Sequence, residues 1–189
     1  EGNVLVDRFP LEPYIPELIY IRPEAEREKR RELSGTAFID FPVSQIVIYP
    51  TYRHNTIELA KITGTIDSVK GDKDVTIKSI SIKGYASPES PYSNNTRLAK
   101  GRTEALKVYV ENMYHFGEGF IKTEYEPEDW AGLARYVETS TLAHKEDILA
   151  TIHSDRDPDT KEWIIKSTWE DEYRFLLDNC YPALRHSDY

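Results

Sequence analysis

The chain has 189 residues, 39% hydrophobic and 30% charged, with a formal net charge of −9. That length suits one ordinary domain with a real core, alone or with an arm, and the acidic balance argues against nucleic acid or an anionic membrane surface as the main partner. No run approaches the roughly 20 apolar residues of a membrane helix, and a single cysteine, Cys180, excludes an internal disulfide and a cysteine-based metal cluster.

Residues 1–33 read as an N-terminal arm or linker. Pro10, Pro13 and Pro16 forbid a helix there. The charge-dense run from Glu24 to Glu32 reads as a solvated face. Residues 35–49 read as strand: Ala37, Ile39, Phe41 and Val43 alternate with Phe38, Asp40 and Pro42. Pro42 has no N–H for a ladder and marks an edge or a bulge. Ile46 to Tyr49 resume the extended pattern, and Pro50 stops it.

A helix follows, with Asn55 and Glu58 spaced as a capping box and Leu59, Ile62, Ile66 and Val69 on one face. Residues 75–86 read as an inner strand, with Val75 and Ile77 in one phase and Ile80 and Ile82 in the other. The longest helix spans about 93–113, with a stripe of Leu98, Ala105, Leu106, Tyr109 and Met113, and Gly117 and Gly119 close that unit. Phe120, Ile121 and Tyr125 suggest a short third strand.

The last third reads as helices. Trp130, Leu133 and Val137 form one stripe; Ile148, Leu149 and Ile152 form a second. Asp157 caps a third that opens on Pro158 and carries Trp163 and Ile164. Tyr173, Leu176, Leu177 and Cys180 form a fourth, stopped by Pro182. Cys180 and the three tryptophans read as core packing. The order β-α-β-α-β followed by helices predicts an α/β fold, an α+β sandwich with helices on a sheet, in which strands joined by whole helices are parallel neighbours.

The informative stretch is Ile80 to Ala105. A strand ends in Gly84-Tyr85-Ala86, a polar loop follows, and a long helix begins near Asn95. The unpaired amides and partial positive charge of a helix N-terminus suit a carboxylate ligand. Arg102, two turns along, can fork onto a carboxylate.

This stretch resembles the peptidoglycan-binding domain of the outer-membrane protein A type. The family pattern is a strand ending in Gly-Tyr/His-Thr-Asp, then Asn-x-x-Leu-Ser-x-x-Arg-Ala. Gly84 and Tyr85 match the strand end; Asn95, Leu98, Arg102 and Ala105 match the helix in register or nearly so. Upstream, Phe38 to Phe41, Ile48-Tyr49-Pro50 and the helix from Asn55 resemble the family's first strand and helix, so the likeness spans roughly residues 35–125.

The resemblance implies that residues 34–189 form the domain and that it binds the diaminopimelate-type peptide stem of the cell wall. The ligand-binding residues it implies are Arg102, Glu89, Ser87, Asn95 and Tyr85. The family Asp that pairs with the ligand's ammonium is Ser87 here, and Glu89 is the carboxylate that the same loop offers instead. The family closes its sheet soon after the third strand. Here a helical insertion over about 128–181 intervenes, and His186 to Tyr189 begin the closing strand. The residues also allow plainer roles: Ser87-Pro88-Glu89 as a turn cap, Arg102 as an exposed helix residue, and Asn95 as a backbone-bonding residue.

His54, His115, His144, His153 and His186 show no HExxH or paired spacing, which argues against a zinc site. No nucleophile elbow, P-loop or dinucleotide fingerprint occurs. The expectation is therefore a non-enzymatic, cofactor-free module, exported to the periplasm and associated with the outer membrane, that anchors a surface protein to the wall. The alternative is a cell-surface assembly module that keeps the fold, has lost the ligand site, and uses the insertion to contact envelope proteins.

Overall fold

A computed structural model describes residues 29–42 and 44–189. Most of the arm expected over 1–33, and Val43 of the first strand, lie outside the described residues. Leu33–Tyr189 form one compact unit. In chain order its elements are β1 (Thr36–Ala37), α1 (Asn55–Lys70), β2 (Ile80–Tyr85), α2 (Tyr92–Tyr114), β3 (Ile121–Glu126), α3 (Trp130–Thr139), α4 (Lys145–Ile152), α5 (Pro158–Thr168), α6 (Glu170–Asn179), α7 (Tyr181–Leu184) and β4 (Ser187–Asp188).

The sheet runs β1-β4-β2-β3. β2 and β3 are parallel, in register from Ile80↔Ile121 to Tyr85↔Glu126, as a helical crossover requires. β1 and β2 are not neighbours: β4 lies between them, antiparallel to both. The expected closing strand is therefore present, and it is the penultimate residues, Ser187 and Asp188, that pair with Ala37 and Thr36 on one side and Gly84 and Lys83 on the other.

The first strand is far shorter than the alternation over 35–49 predicts. Side chains of α1 take the N–H groups that a longer ladder would use. Glu58 Oε2 accepts from the Phe38 N–H at 2.9 Å, and Asn55 Oδ1 accepts from the Asp40 N–H at 2.7 Å. Pro42 contributes no N–H, and Ser44 adopts a left-handed conformation at φ 58°. The predicted capping box is absent for the same reason. His54 is the residue preceding α1, and the fully buried Asn55 amide instead donates to the Asp40 and Tyr49 carbonyls, both at 2.9 Å.

β2 likewise starts at Ile80 and not at 75. Its partner β3 begins only at Ile121, so Val75 has no strand beside it and is exposed. Two cores result. The sheet core joins Ala37, Ile39, Leu59, Ile62, Ile66, Ile82, Leu106, Val110 and Ile121. On α2 the buried stripe is Leu98, Ala99, Thr103, Leu106 and Val110, while Met113 of the predicted stripe is exposed.

The expected insertion does not lie on the sheet as a further layer of helices. α3 to α7 close around a separate core that includes Leu133, Val137, Ile148, Ile165, Leu176 and Tyr181. Asp157 caps α5 as predicted, with Oδ1 accepting from the Thr160 N–H at 2.9 Å. Cys180 is buried in this core, as expected. Trp130 and Trp169 pack against it, but Trp163 is 64% exposed, so the core role expected of it does not hold. Pro182 ends α6 yet opens α7, a first-turn position where its missing N–H costs nothing.

Candidate functional site at the end of β2

Gly84 lies directly on α2: a Cβ there would collide with Thr103 Oγ1. The absence of a side chain brings the strand end close to the helix that carries Arg102. The chain then enters the loop 86–91, where Ala86, Ser87 and Pro88 are buried. The loop is fixed at its first residue. The Ala86 N–H donates to the Glu126 carbonyl at 3.3 Å, and the Asp129 N–H donates to the Ala86 carbonyl at 2.9 Å.

Four of the groups proposed from sequence as ligand contacts are engaged by the chain's own last third. Arg185 donates from Nη2 to Glu89 Oε2 at 2.8 Å and from Nε to Ser87 Oγ at 3.1 Å. The buried Asn95 amide donates to the Ser90 carbonyl at 2.7 Å and to Glu128 Oε1 at 2.8 Å. Its plainer reading as a backbone-bonding residue thus describes the first of these contacts, and the second is to a side chain. The N-terminus of α2 is occupied too, with Asp159 Oδ1 accepting from the Tyr92 N–H at 2.7 Å, a favourable place for a carboxylate.

Burial holds the Glu128 carboxyl above its ordinary range, against the donors Asn95 and Trp130 that favour its charge; Trp130 Nε1 donates to Oε2 at 2.7 Å. Tyr85 stacks on His186 with ring centroids 4.3 Å apart, and the Lys83 ammonium lies 5.0 Å from the Tyr85 ring centre.

Arg102 differs from the rest. Its Nε donates to the Gln45 carbonyl at 3.3 Å, and its guanidinium lies over the Phe41 ring at 4.9 Å. Among the described residues no carboxylate pairs with it. Burial first, and then the positive charge of Arg185, push its pKa below the usual arginine value. The group nevertheless remains a cation at any working pH. Arg102 and Arg185 line one small cleft with Phe41, Gly84, Tyr85 and His186. Its free volume of about 10 Å³ matches a single water-sized atom.

Tyr85 and His186 also line an open groove of about 350 Å³, together with Trp130, Arg135 and the carboxylates of Glu126, Glu128, Asp129 and Asp188. Sequence reading missed Arg185, Asp159 and Glu128 as partners of this loop. They lie 96, 67 and 33 residues from Glu89, Tyr92 and Asn95 respectively, and no local pattern connects them. Among the described residues no group of three His, Cys, Asp or Glu side chains is placed to hold a metal ion, and no helix is long and apolar enough to cross a membrane. No family model matches the chain, and no curated protein matches it.

Proposed function

We propose that the chain is a non-catalytic cell-envelope module that binds the peptide stem of peptidoglycan and anchors an outer-membrane or surface protein to the wall. The observation that carries this reading is Arg102, a half-buried guanidinium without a carboxylate partner among the described residues, set beside Arg185 at the end of β2. A buried cation without a counter-ion is costly. An incoming carboxylate would relieve that cost and gain a forked, charge-assisted pair. The groove beyond Tyr85 offers room for the residues that follow such a carboxylate. The resemblance over residues 35–125 supplies the ligand class. Co-sedimentation with purified sacculi tests the reading: wild type is expected to pellet and Arg102→Ala to remain in solution. Equal pelleting of the two would remove Arg102 from the site.

A second reading has its own support. The insertion and the residue that follows its last helix fill the loop's polar positions with Asp159, Glu128 and Arg185, and the insertion exposes Trp163 and Phe175. On this reading the fold serves assembly with other envelope proteins, and the exposed face of α5 and α6 is the contact. Loss of a native partner on Trp163→Ala, with sacculus binding absent in wild type, would favour it.

A further inference from the structure

We propose that β3 is a self-association edge. Two copies of this chain pair antiparallel along Ile121–Glu126, about a two-fold axis through Thr123, and the sheet of one copy continues into the other. The proposal is independent of the ligand assigned to the end of β2. β3 is the last strand of the sheet, and among the described residues no strand pairs with its outer side. The Ile80 N–H donates to the Phe120 carbonyl at 3.1 Å, and the Ala86 N–H donates to the Glu126 carbonyl at 3.3 Å. These bonds fix the phase: Lys122, Glu124 and Glu126 turn their backbone groups to β2. The backbone groups of Ile121, Thr123 and Tyr125 therefore face outward, as half of an unfilled ladder. The register with β2 is unbroken from Ile121 to Glu126, and no proline or glycine interrupts the strand to blunt this edge.

The side chains select a second copy as the occupant. In an antiparallel ladder, outward-facing residues stand opposite outward-facing residues, so the two-fold axis must pass through a residue. An axis at Lys122 sets two ammonium groups face to face, and an axis at Glu124 sets two carboxylates face to face. An axis at Thr123 sets Lys122 opposite Glu124 of the second copy, twice by symmetry, and Ile121 opposite Tyr125. Both Lys122 and Glu124 are exposed, and neither has an ion-pair partner among the described residues. Glu126 is already paired with Lys83 at 3.4 Å and lies outside the charge pairs of this register. A lysine on an edge strand ordinarily discourages pairing; opposite its own complement it favours pairing. Tyr125 is 41% exposed, and the second strand would cover it. A single strand pair is a small interface, so the dimer is expected to be weak and reversible, in the micromolar range.

Sedimentation equilibrium of the full chain from about 5 to about 500 μM tests this. Wild type is expected to pass from monomer to dimer across that range. Lys122→Glu and Glu124→Lys each place like charges opposite one another at both ends of the axis, and each is expected to weaken dimerisation by at least about 10-fold. The two substitutions in one chain exchange the charges and are expected to restore the wild-type constant. A mixture of the two single variants is expected to form a heterodimer, because each supplies the charge that the other lacks. Both side chains are exposed, so the unfolding midpoints of all variants are expected to match wild type.

Wild type that stays monomeric at about 500 μM would overturn the proposal. So would a dimer that both single substitutions leave unchanged, which would place the contact on another surface. Single variants that weaken the dimer without rescue by the double variant would overturn the Thr123 register.

Discussion

Arg185 and Glu89 join the end of the helical insertion to the loop after β2, with Nη2 2.8 Å from Oε2 across 96 residues of sequence. The pair is partly exposed, so its strength is modest. A double-mutant cycle with Arg185→Ala and Glu89→Ala, read by urea unfolding, is expected to give a coupling of about 1 kcal/mol. Strictly additive losses would mean that the contact contributes nothing to stability.

Asn55 is the joint between α1 and the irregular segment before it. It is fully buried and serves three backbone groups: the Asp40 N–H and the carbonyls of Asp40 and Tyr49. Asn55→Ala strands these groups and is expected to cost about 2–3 kcal/mol in urea unfolding. Asn55→Asp keeps the acceptor and loses both donors, so it too is expected to destabilise. A loss below about 0.5 kcal/mol for Asn55→Ala, the level of a surface change, would contradict this.

The sequence pattern and the structure part company at these joints. The helices were legible because burial repeats at the helical period: Leu59, Ile62 and Ile66 on α1, or Leu133 and Val137 on α3. The parallel β2–β3 pair followed from the helix between them. The first strand was overread, because alternation reports which side chains face inward but not which N–H groups a neighbouring helix has taken. Asn55 and Glu58 fit a capping box by spacing, yet they act on Asp40 and Phe38. Of the site, Arg102, Glu89 and Ser87 were visible as residue types. The engagement of Glu89 and Ser87 by Arg185 was not, because Arg185 lies 96 and 98 residues away in sequence and no local pattern joins them.

Glu128 makes stability depend on pH in a defined direction. Burial raises its pKa in the folded protein above the ordinary 4.5. The folded state therefore holds a proton that the unfolded chain releases, and stability falls as pH rises from about 4.5 until the raised folded value is passed. Glu128→Gln removes this slope and also loses one of the two hydrogen bonds from Asn95 and Trp130 at every pH. The difference in unfolding free energy, wild type minus variant, is expected to decline as pH rises above about 4.5. A flat difference would contradict the raised value.

Tyr181 is fully buried, and its hydroxyl has no hydrogen-bond partner among the described residues. Its ring meets Tyr173 edge-on at 6.0 Å, so the aromatic packing does not need the oxygen. Tyr181→Phe removes an unsatisfied polar atom and is expected to leave stability unchanged or raise it by up to about 1 kcal/mol. A loss greater than about 1 kcal/mol would show that the hydroxyl is bonded to a buried water.

The most direct test of the central claim is titration of wild type and Arg102→Ala with a diaminopimelate-containing stem peptide, with unfolding curves recorded on both. The account predicts binding by wild type, a loss of about 10-fold or more in the variant, and nearly equal unfolding midpoints, since Arg102 donates a single hydrogen bond among the described residues. Equal affinity in two equally stable proteins would contradict it.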